Sequence, residues 1–416
     1  MTIKIKILVL LIGSMIFGFS VYAADPDLSS ILKPSGGMIT SYGIAAPAFN
    51  SVSKMVQARQ IENPDEELHE EEGELLYKER WTYRVPHLTA KHSFQEDRSG
   101  SDEVESTQNP LQGPILKTGF FGIPNQSRAQ PDCNIAVGPT RIMLAVNTDV
   151  AIYTKTGERR FETSFENWFT ALSMSHDSVL FDPKLIYDHA AGHFIFLCNA
   201  RRGRDRRSWF LFSVSKTSDP EGDWAFYALD MQITGGAREI FWADFPRMGL
   251  DQNAIYLTGN MTEYVSFGFR YAKIRVLRKS QVYQFGKITW KEFARLTDSH
   301  GVKAINIEPV TEFGPSNQGY LVSTTPFDGF KVTLWTISSP GTANPSLVKK
   351  GVIVSSYQFP PSAIQKGGSA RLNTRDAGVY NAVFHNGSIY TAHNAAYDWG
   401  SGPVSAIRFY QIKTDG

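Results

Sequence analysis

Two aspartates stand at similar places in the chain, and this position makes them the first candidates for chemistry. Asp182 directly precedes Pro183, and Asp244 precedes Phe245 and Pro246. Each begins a β-rich unit, where a carboxylate commonly accepts hydrogen bonds from backbone N–H groups and caps the turn. Carboxylates that meet in one channel would instead suit calcium, which binds oxygen ligands. We expect capping and no cofactor, with calcium as the alternative.

The densest run of positive charge is Arg201-Arg-Gly-Arg-Asp-Arg-Arg207, which lies between two predicted strands of one unit. A loop this basic is able to hold an anionic glycan or a phosphate-rich polymer. A solvated hairpin tip is the simpler expectation. The turn histidines His189, His193, His385 and His393 are expected to be structural.

These residues belong to β-rich units that repeat after residue 130. Each unit is a short apolar run, a polar turn and a second apolar run, and five copies are found at 134–146, 184–197, 247–257, 310–322 and 380–390. Strand–turn–strand repeats are typical of β-propellers, although this spacing is somewhat longer than usual. Residues 162–172 are the one helical candidate. The sequence therefore predicts an all-β propeller of about five units, with a shortened six- or seven-bladed type as the alternative.

The first 23 residues are predicted to be a signal peptide. Lys4 and Lys6 precede an apolar run at 7–19, and small residues follow between Val21 and Ala23. The run is shorter than the ~20 residues that cross a bilayer, and an uncleaved membrane anchor is the alternative. We expect a secreted or periplasmic monomer with no membrane attachment after cleavage.

The rest of the chain divides at about residue 116. Residues 24–115 are interpreted as an N-terminal extension and linker, partly disordered, because 62–74 is a dense acidic run. Residues 116–416 are interpreted as the propeller domain. We expect residues 118–123, or the run 78–85, to lie against the last unit and close the ring. Deleting 24–125 would then abolish cooperative melting, and deleting 24–110 would do little.

The formal net charge is +1, from 42 basic and 41 acidic residues. A protein this close to neutral has no bulk field that would attract nucleic acid, so a nucleic-acid partner is not expected. A glycan or a protein ligand is compatible with this composition.

The chain has two cysteines, Cys133 and Cys198. In an oxidising compartment the two can form one disulfide if adjacent units bring them together, and this bond is predicted. Two buried thiols that act as small apolar side chains are the open alternative. The sequence has no Cys-x-x-Cys spacing of the kind that marks a zinc site.

Several phrases together resemble a family of secreted bacterial β-propeller proteins of mostly unassigned activity. The phrases are Pro131-Asp-Cys-Asn-Ile-Ala-Val-Gly-Pro139, Ile152-Tyr-Thr-Lys-Thr-Gly157, Phe181-Asp-Pro-Lys-Leu-Ile-Tyr-Asp188 and Ala243-Asp-Phe-Pro-Arg-Met-Gly249. The family is similar in architecture to sialidase-like propellers. Thr217-Ser-Asp-Pro-Glu-Gly-Asp-Trp224 is similar to their Asp-box, a hairpin turn, except that Gly222 comes one place late.

The resemblance implies which residues a sialidase-like site would need. Three arginines would hold a substrate carboxylate, a Tyr–Glu pair would supply the nucleophile, and a further acid would transfer a proton. The candidates in this chain are Arg238, Asp244, Arg247, Arg371, Arg375 and Tyr380. The Phe-Arg-Ile-Pro phrase of true sialidases is absent. We therefore expect an exported binding or scaffold module, with a sialidase-like glycoside hydrolase as the alternative.

Overall fold

A computed structural model describes residues 37–55, 119–124 and 131–414. Its strands form five sheets arranged as the blades of a five-bladed β-propeller, together with two small two-stranded hairpins. Four of the five repeated phrases supply two paired strands of one blade, and the fourth, 310–322, is divided between the sheets of two blades. The predicted fold class is confirmed.

The strands are numbered in chain order from the N-terminal side. The N-terminal segment forms β1 (Ile39–Ala45) and β2 (Ala48–Ser51). Blade 1 contains β3 (Asn134–Val137), β4 (Arg141–Val146), β5 (Asp149–Thr154) and β6 (Arg159–Ser164). Blade 2 contains β7 (Ser178–Asp188), β8 (His193–Arg202), β9 (Arg207–Ser215) and β10 (Asp223–Asp230), and the hairpin of β11 (Ile233–Thr234) and β12 (Ala237–Arg238) follows.

Blade 3 contains β13 (Phe241–Leu250), β14 (Ala254–Glu263), β15 (Phe269–Arg278) and β16 (Ile288–Ala294). Blade 4 contains β17 (Glu308–Pro309), β19 (Gln318–Ser323), β20 (Gly329–Ser338) and β21 (Ser346–Tyr357). Blade 5 contains β18 (Thr311–Phe313), which pairs in parallel with β24 (Val379–His385), and then β25 (Ser388–Asp398) and β26 (Pro403–Lys413). The hairpin of β22 (Ala363–Ile364) and β23 (Arg371–Leu372) connects the last two blades.

Helices are short. Helix α1 (Phe165–Trp168) and the 3-10 turn Thr170–Leu172 join blades 1 and 2, so the helical candidate is confirmed in a shorter form. Helix α2 (Lys279–Val282) lies between β15 and β16, and a 3-10 turn, Val52–Lys54, follows β2. Within the described ranges, no helix has the length and apolar character needed to cross a membrane.

The N-terminal segment contributes the outermost strands of two blades. Strand β1 pairs with β16, and β2 pairs with β10, both antiparallel. Gly43 lies directly on the Trp290 ring, where any side chain would collide with the indole. This part of the predicted extension is therefore integral to the propeller sheets. The acidic run and the 78–85 run lie outside the described residues.

Buried apolar side chains form a separate core between each pair of neighbouring blades from 1 to 5. The core between blades 1 and 2 contains Trp168 and Trp224, whose rings meet edge to face at 4.8 Å. The core between blades 2 and 3 contains Phe212 and Leu257, and two further cores follow between blades 3 and 4 and between blades 4 and 5. Among the described residues, no core joins blade 5 to blade 1.

The faces of blades 1 and 5 that would meet at this seam carry exposed apolar side chains. On blade 1 these are Ile135 and Val137, and on blade 5 they are Tyr390, Ile407 and Phe409. The prediction that residues 118–123 lie against the last unit needs correction for the described part of this segment. Phe120 stacks on Tyr153 at 5.3 Å, and Gly122 lies against Leu144, so the segment 119–124 packs on blade 1.

The predicted disulfide is not formed, and both cysteines are free. Cys198 is fully buried in the core between blades 1 and 2, and burial holds the pKa of its thiol well above the usual value. Cys133 is exposed on the first turn of blade 1. The two side chains therefore occupy different environments, and the open alternative of small buried thiols fits Cys198 alone.

Candidate axial site

One residue at the start of each blade adopts a left-handed backbone conformation. These residues are Asp132 (φ 40°), Asp182 (φ 55°), Phe245 (φ 54°), Asn306 (φ 51°) and Arg375 (φ 56°). The left-handed conformation is unfavourable by roughly 1–2 kcal/mol for residues with a side chain, and Asn and Asp tolerate it best. We call this ring of five residues the axial mouth.

Asparagines of the second strands brace the axial mouth. Asn147, directly after β4, donates to Asp132 Oδ2 at 2.8 Å, and its own Oδ1 accepts the Asp182 N–H at 2.8 Å. In the same way Asn260 donates to Asn306 Oδ1 at 2.7 Å and accepts the Asn306 N–H at 3.1 Å. A side chain of blade 1 thus fixes the first turn of blade 2, and a side chain of blade 3 fixes that of blade 4.

Beneath the mouth lie three charged side chains, each two residues after a mouth residue. They are Lys184, Arg247 and Glu308. Arg247 Nη1 is 3.4 Å from Glu308 Oε2, and both side chains are almost fully buried. Burial raises the pKa of Glu308 to about 7, although the nearby Arg247 and Lys184 oppose this shift. Burial and the Arg247 charge lower the pKa of Lys184. These groups form a charged floor.

One wall of the site combines guanidinium groups with aromatic rings. The Arg375 guanidinium lies 4.8 Å from the Phe245 ring centre and 5.8 Å from that of Tyr380. Arg247 lies 5.1 Å and 5.0 Å from the same two rings. Such stacking holds a cation in place without neutralising it. The Tyr380 hydroxyl donates to Asp376 Oδ1 at 2.9 Å, and burial raises the pKa of Asp376.

The far end of the axis has different chemistry. Glu312, on β18, is buried beside Asp251 and Lys279, and burial together with the Asp251 charge raises its pKa to about 9. Neither Glu312 oxygen has a hydrogen-bond partner among the described residues. Lys279 Nζ instead pairs with Asp188 at 2.6 Å. With a pKa of about 9, Glu312 holds its proton at neutral pH. The half-buried charged groups of the axis, Asp132, Asp182 and Arg375, lie at the other end, at the mouth.

The structure brings together some of the residues that the sequence singled out and separates others. Arg247, Arg375, Tyr380 and Asp244 all lie at the axis, and Asp244 Oδ1 accepts the Phe245 N–H at 2.9 Å, as expected of a capping carboxylate. The remaining two arginines do not reach the axis, because each belongs to a connecting hairpin.

Arg238, on β12, pairs with Asp230 at 2.7 Å. Arg371, on β23, is exposed and donates to the Ser362 carbonyl oxygen at 3.4 Å. Only two of the four candidate arginines converge, so the expected three-arginine cluster of a sialidase-like site is not present among the described residues.

A Tyr–Glu pair does exist, but it lies away from the axis. Tyr271, on the third strand of blade 3, donates its hydroxyl to Glu239, whose other oxygen accepts from Arg295 at 2.5 Å. Burial and the Glu239 carboxylate raise the pKa of Tyr271 well above the usual value, so the phenol stays neutral. This pair lacks the position and the acidity that a tyrosine nucleophile needs.

The basic run is a hairpin tip between β8 and β9 whose charges are largely paired. Arg202 pairs with Asp205 at 2.6 Å, and Arg204 lies 3.4 Å from Asp177. Arg207 pairs with Asp230 at 3.3 Å. These contacts favour the expected solvated hairpin over a polyanion-binding loop.

Sequence reasoning missed Asp132, Asn306 and Glu308 as axial residues. Asp132 stood in a quoted phrase, Pro131-Asp132, and alignment of that phrase with Asp182-Pro183 would have revealed the shared turn. Glu308 directly precedes Pro309, but Asn306 is followed by Ile307, so this proline stands two places later than in Asp182-Pro183 and Phe245-Pro246. Among the described residues, no three His, Cys, Asp or Glu side chains are placed to share a metal ion. Calcium stays a sequence-based hypothesis.

No protein-family model and no curated protein matches the chain. Among solved structures, an exo-β-1,3-galactanase from Phanerochaete chrysosporium with β-1,3-galactotriose has a TM-score of 0.34 and 12% identity, over 68% of this chain and 60% of that one. A native Bacillus subtilis arabinanase has a TM-score of 0.32 and 13% identity, over 68% and 94%. An N-acetylgalactosamine deacetylase from F. plautii in complex with blood group B trisaccharide has a TM-score of 0.34 and 12% identity, over 71% of this chain and 93% of that one. The alignment thus spans less than two thirds of the galactanase chain, and similarities this low assign neither activity nor ligand.

Proposed function

We propose that the protein is an exported propeller that binds a glycan at the axial mouth, with a preference for sugars that carry a carboxylate. The observation that carries this proposal is the division of the mouth into an acidic side, with Asp132 and Asp182, and a cationic, aromatic side, with Phe245, Arg375 and Tyr380.

The two sides match the two kinds of group on an acidic sugar. Carboxylate oxygens accept hydrogen bonds from sugar hydroxyl groups, and Asp132 and Asp182 are half-buried on neighbouring blades. A guanidinium binds a carboxylate through two parallel hydrogen bonds, and the half-buried Arg375 is aligned by its ring contacts. An aromatic ring beside them offers an apolar surface to the C–H face of a sugar.

The test compares two arginines of the same segment. Arg375→Ala should weaken binding of galacturonic acid, measured by calorimetry, by tenfold or more, because a charged hydrogen-bonding partner is lost. Arg371→Ala removes an exposed arginine four residues away and should leave the affinity unchanged. Equal effects of the two substitutions, or absence of binding to the wild-type protein, would contradict the proposal.

The proposal includes three further points: the protein is exported, it is a monomer, and it acts as a binding or scaffold module. Lys4, Lys6 and the apolar run support export, and they lie outside the described residues. N-terminal sequencing of protein recovered from a periplasmic or culture fraction checks this part: a start at residue 24 is expected, and an intact Met1 would contradict cleavage.

A second candidate function is hydrolysis of a glycosidic bond at the same mouth. The observation that favours it is Glu308, whose pKa of about 7 would let a carboxyl group give a proton near neutral pH, below the carboxylates Asp132 and Asp182. Glycosidases use two carboxyl groups, one of them a proton donor with a raised pKa. A sialidase design is not proposed, because only two of the four candidate arginines lie at the axis in the described part of the chain and the Tyr380 hydroxyl donates to Asp376.

Hydrolysis of a panel of aryl glycosides distinguishes the two candidates. If Glu308 donates the proton, turnover should fall as the pH rises through about 7, and Glu308→Gln should abolish it. Glu263→Gln, the same change at a half-buried glutamate that pairs with Arg270, is the control. Glycan binding without turnover would contradict hydrolysis and support the binding function.

A further inference from the structure

A pair of exposed aromatic rings stands on blade 5 at the same end of the propeller as the axial mouth. Trp399 is 70% exposed and Tyr397 is 49% exposed. Their ring centres are 4.5 Å apart. Tryptophan is seldom left this exposed, because its large apolar surface is unfavourable in water. A pair of such rings is therefore informative about function.

The hairpin that carries the pair is fixed in shape. Asp398 Oδ1 accepts the Gly400 N–H at 2.7 Å and the Gly402 N–H at 3.0 Å. Gly400 and Gly402 have φ of 99° and 96°, a region where a side chain would be strained. Asp398 and Pro403 are the last paired residues of β25 and β26 before the turn that joins these two strands. The two rings are thus presented on a rigid turn and do not need to be ordered by a ligand.

The pair is connected to the mouth through β25. Asn394 Nδ2 donates to the Thr374 carbonyl oxygen at 2.6 Å, next to the mouth residue Arg375. Tyr397 follows Asn394 by three residues on the same strand, a rise of about 10 Å. Strand β24 begins at the mouth, β25 returns toward it, and the hairpin after β25 therefore lies at the mouth end.

From this placement we propose that Tyr397 and Trp399 form an outer subsite that stacks on a sugar ring of the glycan chain held at the axial mouth. The inference rests on the proposed glycan binding. A protein partner fits less well, because a specific protein interface buries roughly 800 Å² on each side, far more than two rings offer. A single sugar ring needs only an aromatic face of about its own size.

A length series of one ligand tests the subsite. Binding of galacturonic acid and of its oligomers up to the hexamer is measured by calorimetry for the wild-type protein and for Trp399→Ala. The variant should bind the hexamer about tenfold more weakly, which corresponds to ~1.4 kcal/mol, and bind the monomer unchanged. Trp399→Phe, which keeps an aromatic face, should recover most of the lost affinity.

Two controls separate the possible failures. Phe409→Ala removes an exposed ring from a sheet face of the same blade and should leave every affinity unchanged. Arg375→Ala should weaken binding at all lengths. Unchanged hexamer binding by Trp399→Ala, beside weakened binding by Arg375→Ala, would overturn the subsite alone and point to a protein-facing role. If Trp399→Ala weakened binding equally at every ligand length, the substitution would be acting through the structure of the mouth, and the outer subsite would be refuted. If the wild-type protein bound no ligand, both proposals would be refuted.

Discussion

Blades 2 and 3 differ from blades 1 and 5 in what covers their faces and edges. Blades 2 and 3 share a core of fully buried side chains, and each receives a fifth strand from the N-terminal segment. Blades 1 and 5 have four strands each and turn exposed apolar side chains toward the seam between them. The difference predicts that blades 2 and 3 are more stable than the two blades at the seam, while residues from all five blades build the mouth.

The largest effect is expected from removal of the two N-terminal strands. Deleting residues 37–51 leaves β16 and β10 as unpaired edges and uncovers Trp290, so the cooperative thermal transition should be lost. The sequence suggested that deleting 24–110 would do little, and the pairing of β1 and β2 reverses that expectation. Calorimetry provides the measurement, and deletion of 24–36 alone, which keeps both strands, is the control that should retain the transition.

The fold was predictable from local signals, and the N-terminal strands show where those signals end. Five strand–turn–strand phrases repeat along the chain, and each predicts a hairpin without reference to distant residues. Four of them form one, whereas β18 of the fourth phrase pairs with the distant β24. Ile39 pairs with Ala294, far along the chain, and a Ser- and Gly-containing segment carries no mark of such a partner. Long-range pairing of this kind depends on an edge that only the folded blades create.

The candidate site was predictable only in part, because residue type alone does not show which side chains reach the axis. Arg247 and Arg375 drew attention because of their residue type, but Arg238 and Arg371 had the same type and lie elsewhere. Arg375 belongs to the left-handed turn at the start of a blade, and Arg247 stands two residues after such a turn; the turn residues are Asp, Phe, Asn and Arg. No shared residue type marks that turn, so a sequence without aligned relatives does not reveal it.

A second prediction concerns the buried charges of blade 3. Glu292 lies 2.9 Å from Arg275 and 3.5 Å from Lys273, and all three side chains are buried. Glu292→Gln leaves two buried cations without their carboxylate, which should lower the free energy of unfolding by about 3–5 kcal/mol. Urea denaturation measures this change. Glu263→Gln, at the more exposed pair with Arg270, should change it by less than ~1 kcal/mol, and equal effects would refute the contrast.

A third prediction compares the same substitution on a covered and an uncovered face. Phe212 is fully buried between blades 2 and 3, and Phe409 is 78% exposed on blade 5. Phe212→Ala should lower the free energy of unfolding by about 3–5 kcal/mol through lost burial and a cavity. Phe409→Ala should change it by less than ~0.5 kcal/mol. A loss at Phe409 comparable to that at Phe212 would mean that the seam face is covered in solution.

The smallest of these effects comes from a buried histidine in blade 5. Burial lowers the pKa of His393 to about 4. Its neutral ring is satisfied on both sides, because Nδ1 lies 2.7 Å from the Asn394 carbonyl oxygen and Nε2 lies 2.9 Å from the Tyr410 hydroxyl. The unfolded chain takes up a proton near pH 6.5 and the folded chain does not, so stability is lost as the pH falls from about 6.5 toward 4. The full loss corresponds to ~3 kcal/mol.

The measurement is the protection factor of each amide, in which the lower intrinsic exchange rate in acid is divided out. Protection factors in residues 379–413 should fall below pH 6.5 before those of blades 2 and 3 do. His393→Gln should remove most of this dependence, and His385→Asn, at an exposed position of the same blade, should retain it. Simultaneous exchange of all blades on acidification would show that the ring opens as one unit and that the contrast between its halves does not extend to stability.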